Sequence, residues 1–183
     1  MKVSETSLKD AFIIEPKVFG DHRGYFLESF NEGKWSDVLG KVNWVQDNQS
    51  FSAYGTLRRL HLQLGPFAQA KLVRVVKGKV LDVIVDLRKD SPSFGKHLAV
   101  ELSEENHLQL FVPRGFAHGF VVLSPEALFL YKCDNYYAPQ AESGIHYADE
   151  SLNIDWKVHE RDIIISDKDK VLPSLSQFKE ESL

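Results

Sequence analysis

The sequence holds a single cysteine, Cys133, among 183 residues. A lone thiol excludes an internal disulfide and any zinc site built on cysteines. A basic excess is missing too: 22 Lys and Arg stand against 26 Asp and Glu, a net charge of −4. Such a chain has no general attraction for a nucleic-acid backbone or an anionic membrane, so an anion must be held by a local basic cluster. No apolar run approaches the roughly 20 residues that span a bilayer, and Met1 to Asp10 is too polar for a secretory signal. The expected location is cytoplasmic, with neither nucleic acid nor membrane as partner. Phosphate-binding and nucleophile signatures are absent: there is no G-x-G-x-x-G, no P-loop and no G-x-S-x-G. Small β-barrels that hold iron or manganese use a His-x-His pair with a carboxylate a few residues on. Here the chain reads His61-Leu62-Gln63, and no two of the seven histidines are two apart. No metal is expected.

What is present is the composition of a soluble globular domain, 43% hydrophobic and 26% charged. The length suits one domain over residues 1–183, with 1–10 and 176–183 as peripheral termini; Ser174 to Leu183 reads as a loose polar tail. Short runs rich in Val, Ile, Leu, Phe and Tyr recur between Gly, Pro, Asn, Asp and Ser. They are Phe12–Glu15, Tyr25–Phe30, Val42–Gln46, Thr56–Gln63, Leu72–Val76, Val80–Leu87, His97–Leu102, Leu108–Val112, Gly119–Leu123 and Ala127–Lys132. That rhythm predicts an all-β sandwich or barrel. Lys77-Gly78 between two β runs predicts a two-residue hairpin. Asn31 to Leu39 is the clear helix candidate, with Asn31 as N-cap. Ser166-Asp-Lys-Asp169 predicts a much shorter helical start.

Strand alternation sorts side chains by face. It groups Leu57, Arg59, His61 and Gln63; Lys71 with Val73 and Val75; Asp82 with Val80, Ile84 and Asp86; and Tyr131 with Phe129. A small barrel lined by His61, Lys71 and Tyr131 has a polar pocket in an apolar wall, the usual form of a small-molecule site. Each residue also has a structural reading. His61 can be a hydrogen-bonded core histidine, Lys71 can reach water at a strand mouth, and Tyr131 can be a core aromatic with its hydroxyl at the rim. His118 can cap a turn. Cys133 reads as a buried thiol, since no general base stands near it in sequence.

Longer segments resemble one family, the dTDP-4-dehydrorhamnose 3,5-epimerases. They include Val45-Gln-Asp-Asn48, Leu57-Arg-Arg-Leu-His-Leu-Gln63, Ala68-Gln-Ala-Lys-Leu-Val-Arg-Val-Val76 and Val112-Pro-Arg-Gly-Phe-Ala-His-Gly-Phe120. Phe129-Leu-Tyr-Lys132, Tyr136-Tyr-Ala-Pro139 and Ser166-Asp-Lys-Asp169 follow, and the matches cover nearly the whole chain in order. The resemblance implies a cupin-type jelly-roll barrel with a few short peripheral helices, paired as a homodimer. It implies an isomerase that inverts C3 and C5 of a nucleotide-diphosphate 4-keto-6-deoxyhexose without metal or organic cofactor, feeding deoxysugar synthesis for the cell envelope.

The resemblance also implies roles. His61 is the base, Asp169 its orienting carboxylate, Tyr131 the opposing acid and Lys71 the stabiliser of the enolate oxygen. Arg23 and Arg58 match diphosphate contacts. Glu28, Gln46, Asp47, Asn48, His118, Glu142 and Lys168 match positions lining the sugar and nucleotide. Two positions depart from the family pattern, which has Gly where Arg59 stands and an aromatic where Leu62 stands. By parity Arg59 shares the face of His61, where a guanidinium lowers imidazole basicity or alters sugar specificity. Strict alternation sets Arg58 opposite His61, so a phosphate role for Arg58 requires a bulge, a strand end or the partner's pocket. The alternatives are a relative acting on another keto sugar or inverting C3 alone, a non-catalytic nucleotide-sugar binder, and a metal-dependent cupin.

Overall fold

Alternating β-branched and aromatic residues pack well on a pleated, half-buried surface, and here they form two antiparallel sheets laid face to face. The computed structural model describes residues 1–178. The strands are β1 (Lys2–Glu5), β2 (Phe12–Glu15), β3 (Val18–Asp21), β4 (Gly24–Leu27), β5 (Gln46–Ala53), β6 (Leu57–Gln63) and β7 (Lys71–Lys77). They continue with β8 (Lys79–Asp86), β9 (His97–Ser103), β10 (Gln109–Val112), β11 (Phe116–Val122), β12 (Glu126–Cys133) and β13 (Glu142–Ile145). One sheet runs β1-β2-β10-β7-β12-β5, the other β13-β6-β11-β8-β9, and β3-β4 stands apart as a hairpin. This is the jelly-roll sandwich that the resemblance implied. Helix α1 (Glu32–Leu39) begins as expected, with the Asn31 side chain accepting from the Lys34 N–H. Short 3-10 turns occupy the loops, including Asp167–Asp169 after Ser166. Among the described residues no helix is long and apolar enough to cross a membrane.

Between the sheets lie Val73, Val75, Val80, Ile84, Val100, Leu102, Leu110, Val112, Phe116, Phe120 and Phe129, all buried. Each large side chain so buried stabilises the fold by roughly 1.5–3 kcal/mol. Phe120 and Phe129 stack across the gap, with centroids 4.2 Å apart. The outer face of the five-stranded sheet is covered by the C-terminal segment through Leu152, Trp156 and Phe178. Trp35 of α1 helps cover the other sheet beside Ile14, Leu72 and Phe111.

Four expectations need correction. Lys77-Gly78 is not a hairpin: β7 and β8 belong to different sheets. Gly78 turns a corner at φ +75°, where a Cβ would run into the Glu126 carbonyl, and its backbone is pinned to Glu104 on both sides. The strand expected over Val42–Gln46 instead starts at Gln46 and runs through polar residues to Ala53, while Val42 and Trp44 pack beside α1. The first ten residues are less peripheral than expected, since β1 pairs with β2 and Leu8 is buried in the main core. The C-terminal tail is also docked, because Ser174 and Gln177 form a capping box and Phe178 is buried. The rest of that expected tail, 179–183, lies outside the described residues. Strands β1, β3 and β13 carry too few apolar residues to stand out in sequence.

Candidate active site

The interior of the sandwich changes character along its length, apolar at one end and polar at the other. Directly paired residues on antiparallel strands share a face. On the six-stranded sheet Cys133 pairs with both Gln46 and Lys71, and Tyr131 pairs with Asn48. These side chains share the inward face with Phe129 and Val73. On the opposing sheet His118 pairs with both His61 and Ile84, and Asp82 pairs with Phe120. The phenylalanine stack therefore forms the floor of a polar cup, with His118 lying over Phe129 at 6.1 Å.

Strand β6 enters this cup through a bulge. His118 opposes His61 and Phe120 opposes Arg58, so three steps on β6 match two on β11. The extra residue at Arg59-Leu60 reverses parity between Arg58 and His61 and turns both inward. Leu57, Leu60 and Leu62 go to the outer core, and Arg58 donates to Ser52 Oγ at 3.2 Å. The bulge depends on Gly119. A Cβ there would strike the Arg58 carbonyl and come within 2.7 Å of the Arg59 carbonyl carbon.

His61 Nδ1 lies 3.0 Å from the Arg59 carbonyl oxygen. A carbonyl only accepts, so Nδ1 carries the proton and Nε2 presents a lone pair to the cup. Lys71 Nζ stands 3.2 Å from that Nε2. Burial first, then the Lys71 ammonium, hold the imidazole well below its usual range, against the pull of the hydrogen bond to the Arg59 carbonyl; the charges of His118 and the Arg59 guanidinium add smaller pushes downward. Burial likewise lowers Lys71 to about 8, against the pull of Cys133, Asp82 and Glu142. Burial raises Tyr131, so its phenol stays protonated beyond the ordinary range. Cys133 is pushed up to about 11, chiefly by burial, which leaves a neutral thiol beside Asn48 as expected. His118 Nε2 sits 2.9 Å from Asp82 Oδ2, both side chains buried.

The structure brings His61, Lys71, Tyr131, Gln46, Asn48, Arg58 and His118 together, with Glu142 and Asp169 at the rim. The side chain of Asp169 is paired with a neighbour other than His61. That carboxylate lies 3.0 Å from Arg59 Nη1, and Glu142 pairs with Nη2 of the same guanidinium. The two His61 nitrogens face the Arg59 carbonyl and Lys71 Nζ, while the Arg59 guanidinium offers both carboxylates a charge-assisted contact. Three other expected contacts lie elsewhere. Asp47 points out of the cup to Lys132 at 2.9 Å, Arg23 pairs with Asp21 on the β3-β4 hairpin, and Glu28 pairs with Lys34. Lys168 is exposed on the turn that buries Asp169.

Sequence reasoning passed over two side chains. Asp82 was legible as a carboxylate between Val80 and Ile84 on one face of its strand. Gln63 donates to the Phe67 and Tyr136 carbonyls and accepts from the Ala138 N–H, tying two loops to the cup; nothing in its local sequence signals this. Among the described residues no three His, Cys, Asp or Glu side chains converge as a metal ion requires.

Comparison with known proteins agrees with this geometry. The family model described as dTDP-4-dehydrorhamnose 3,5-epimerase matches residues 5–177. The enzyme of that name from Shigella flexneri is 55% identical over 170 residues, covering 92% of this chain and 93% of its own. The crystal structure of dTDP-4-dehydrorhamnose 3,5-epimerase from Elizabethkingia anophelis NUHP1 is similar at TM-score 0.93 and 55% identity, covering 96% of this chain and 97% of the other. The dTDP-6-deoxy-D-glucose-3,5-epimerase of Legionella pneumophila Philadelphia 1, solved with dTDP-4-keto-L-rhamnose, reaches TM-score 0.94 at 46% identity. It covers 98% of this chain and 95% of its own.

Proposed function

This chain belongs to the dTDP-4-dehydrorhamnose 3,5-epimerase family, and from that premise we propose that it inverts C3 and C5 of dTDP-4-dehydro-6-deoxy-D-glucose. The observation that carries the reading is the pairing of His61 Nε2 with Lys71 Nζ at 3.2 Å, on a cup whose facing strand presents Tyr131. The C4 ketone acidifies the hydrogens on its neighbouring carbons. His61 Nε2 takes one of them, and the electron pair moves onto the C4 oxygen as an enolate. Lys71 then serves the enolate rather than the ring, and its positive charge stabilises the oxygen. The Tyr131 hydroxyl returns a proton to carbon from the opposite face, and solvent restores the phenol and removes the proton from His61. The same cycle at the second carbon completes the double inversion. Arg58, inward because of the bulge, suits the diphosphate, and Gln46, Asn48 and His118 suit the sugar.

A homodimer belongs to the same reading. Phe19, Tyr25 and Phe26 are exposed on the β3-β4 hairpin, at 53%, 60% and 68%. A two-stranded hairpin bearing such a patch gains stability from a second surface. Arg23 and Glu28 lie on or just after that hairpin, away from their own cup, and a second copy gives them a cup to complete. A cytoplasmic location is part of this reading because a charged nucleotide sugar does not cross a bilayer unaided.

Incubation with dTDP-4-keto-6-deoxyglucose in deuterated water, followed by NMR, is expected to show label at C3 and C5, and none with His61→Ala. Arg59, at the rim of the cup beside Glu142 and Asp169, favours one competing reading, inversion of C3 alone, and label confined to C3 would establish it. Absence of label from the wild-type protein overturns both.

A further inference from the structure

Two buried charged side chains face the space between the sheets, Lys71 and Asp82, and the reaction above uses only the first. Lys71 opens β7, with Val73 and Val75 on its face. Asp82 lies midway along β8, with Val80 and Ile84 on its face. Those four apolar neighbours belong to the core between the sheets, so both charged side chains point into it. Asp82 is wholly buried, and a buried carboxylate is costly without a partner. Both its oxygens turn to one group, His118 Nε2, at 3.1 and 2.9 Å. A carboxylate only accepts, so that nitrogen carries a proton whatever the charge of the ring, and Nδ1 is the nitrogen left for another partner.

The charged and titratable groups about Lys71 come from every side. β6 contributes His61, whose Nε2 is 3.2 Å from Nζ, together with Arg58 and Arg59. β12 contributes Tyr131 and Cys133, β11 His118 and β8 Asp82, while the rim adds Glu142 of β13 and Asp169; β10 sets only Val112 beside it. Burial and Arg59 disfavour the proton on Nζ, and Cys133, Asp82 and Glu142 favour it. Those three are not equal. Cys133 is a neutral thiol up to about 11, so it brings no charge near neutral pH. Glu142 is paired with the Arg59 guanidinium, which offsets its pull. Asp82 has an imidazole for a partner, and its charge acts across an apolar gap where screening is weak. Resting on the epimerase reading of this site, we propose that Asp82 is a positioning residue: its charge keeps Lys71 an ammonium, and its bond to His118 Nε2 leaves Nδ1 as the nitrogen that meets the sugar.

The test reads Lys71 itself, in ligand-free protein carrying isotope-labelled lysine, by NMR titration with the resonance identified from its loss in Lys71→Met. Asp82→Asn removes the charge and keeps an oxygen for His118 Nε2. It is expected to weaken proton binding at Lys71 by about tenfold, the equivalent of one pH unit. The alkaline limb of kcat/KM is expected to move to lower pH with it, with KM little changed below that limb. Asp82→Leu removes charge and oxygen together, so the same titration shift is expected, now with KM raised several-fold because the His118 ring is no longer held. A residue that only filled space would leave the Lys71 titration where it is. An unmoved titration overturns the role assigned to the charge, and a KM raised equally in both variants overturns the role assigned to the bond. Should Asp82→Asn not fold, Asp82→Leu decides by the same titration. Because that titration needs no substrate, it stands or falls separately from the labelling of C3 and C5.

Discussion

An ammonium 3.2 Å from an imidazole nitrogen repels a proton there and is itself destabilised by burial. His61 and Lys71 therefore divide the pH axis between them. His61 is held below its usual range, so it is already an unprotonated base at pH values where a solvent-exposed histidine is charged. Lys71, at about 8, is an ammonium below that pH and an amine above it. Only the ammonium stabilises an enolate. We expect kcat/KM to hold on the acid side past the ordinary imidazole range and to fall as pH rises through about 8. Lys71→Met is expected to lower kcat by about 10²–10³, the scale of losing one oxyanion donor, and to abolish the fall near pH 8. Steady-state rates across pH check this, and a fall that persists in Lys71→Met assigns it to another group. Stability follows the same sign. Both groups lose affinity for protons on folding, so the unfolded chain binds more protons and the fold gains stability as pH rises through those windows.

At the scale of elements, β6 and β11 act as one device. The bulge at Arg59-Leu60 turns Arg58 and His61 inward together, and Gly119 is the residue on the neighbouring strand that leaves room for it. Gly119→Ala is expected to destabilise the protein by roughly 1–3 kcal/mol, as overpacking does, and to abolish hydrogen exchange by displacing the Arg59 carbonyl from His61. Gly33→Ala supplies the contrast. There the new Cβ meets only Asn31 Oδ1 at 3.5 Å, within α1, and helix propensity favours alanine by up to about 1 kcal/mol. Urea unfolding of the two variants is expected to give opposite signs; equal losses would show that the bulge has room to spare.

At the scale of the molecule, the two sheets are joined by a stacked aromatic floor and flanked by α1 and the C-terminal segment, while the β3-β4 hairpin leaves Phe19, Tyr25 and Phe26 exposed. Of the proposed site residues, Arg23 is carried by that hairpin and Glu28 follows it directly. Phe19→Asp combined with Phe26→Asp is expected to give a folded monomer with little epimerase activity, seen as halved mass in light scattering with circular dichroism unchanged. A variant that stays dimeric removes the hairpin from the interface.

Sequence alone determined the features that depend on neighbours along the chain. Alternation announced an all-β molecule and set Lys71 with Val73 and Tyr131 with Phe129, because side-chain direction in a strand repeats every two residues. The Asn31 cap was legible because capping is settled within one turn. Tertiary structure decided what depends on distant partners. Gly78 joins two sheets rather than two paired strands, since a strand's partner is chosen by the whole sheet. Arg58 faces inward because a bulge is defined only against the opposing strand. The polar strand β5 was invisible as an apolar run because its inward residues line a polar cup. Asp169 pairs with Arg59 rather than His61 because ion pairs follow distance and charge in space, and no spacing along the chain encodes either.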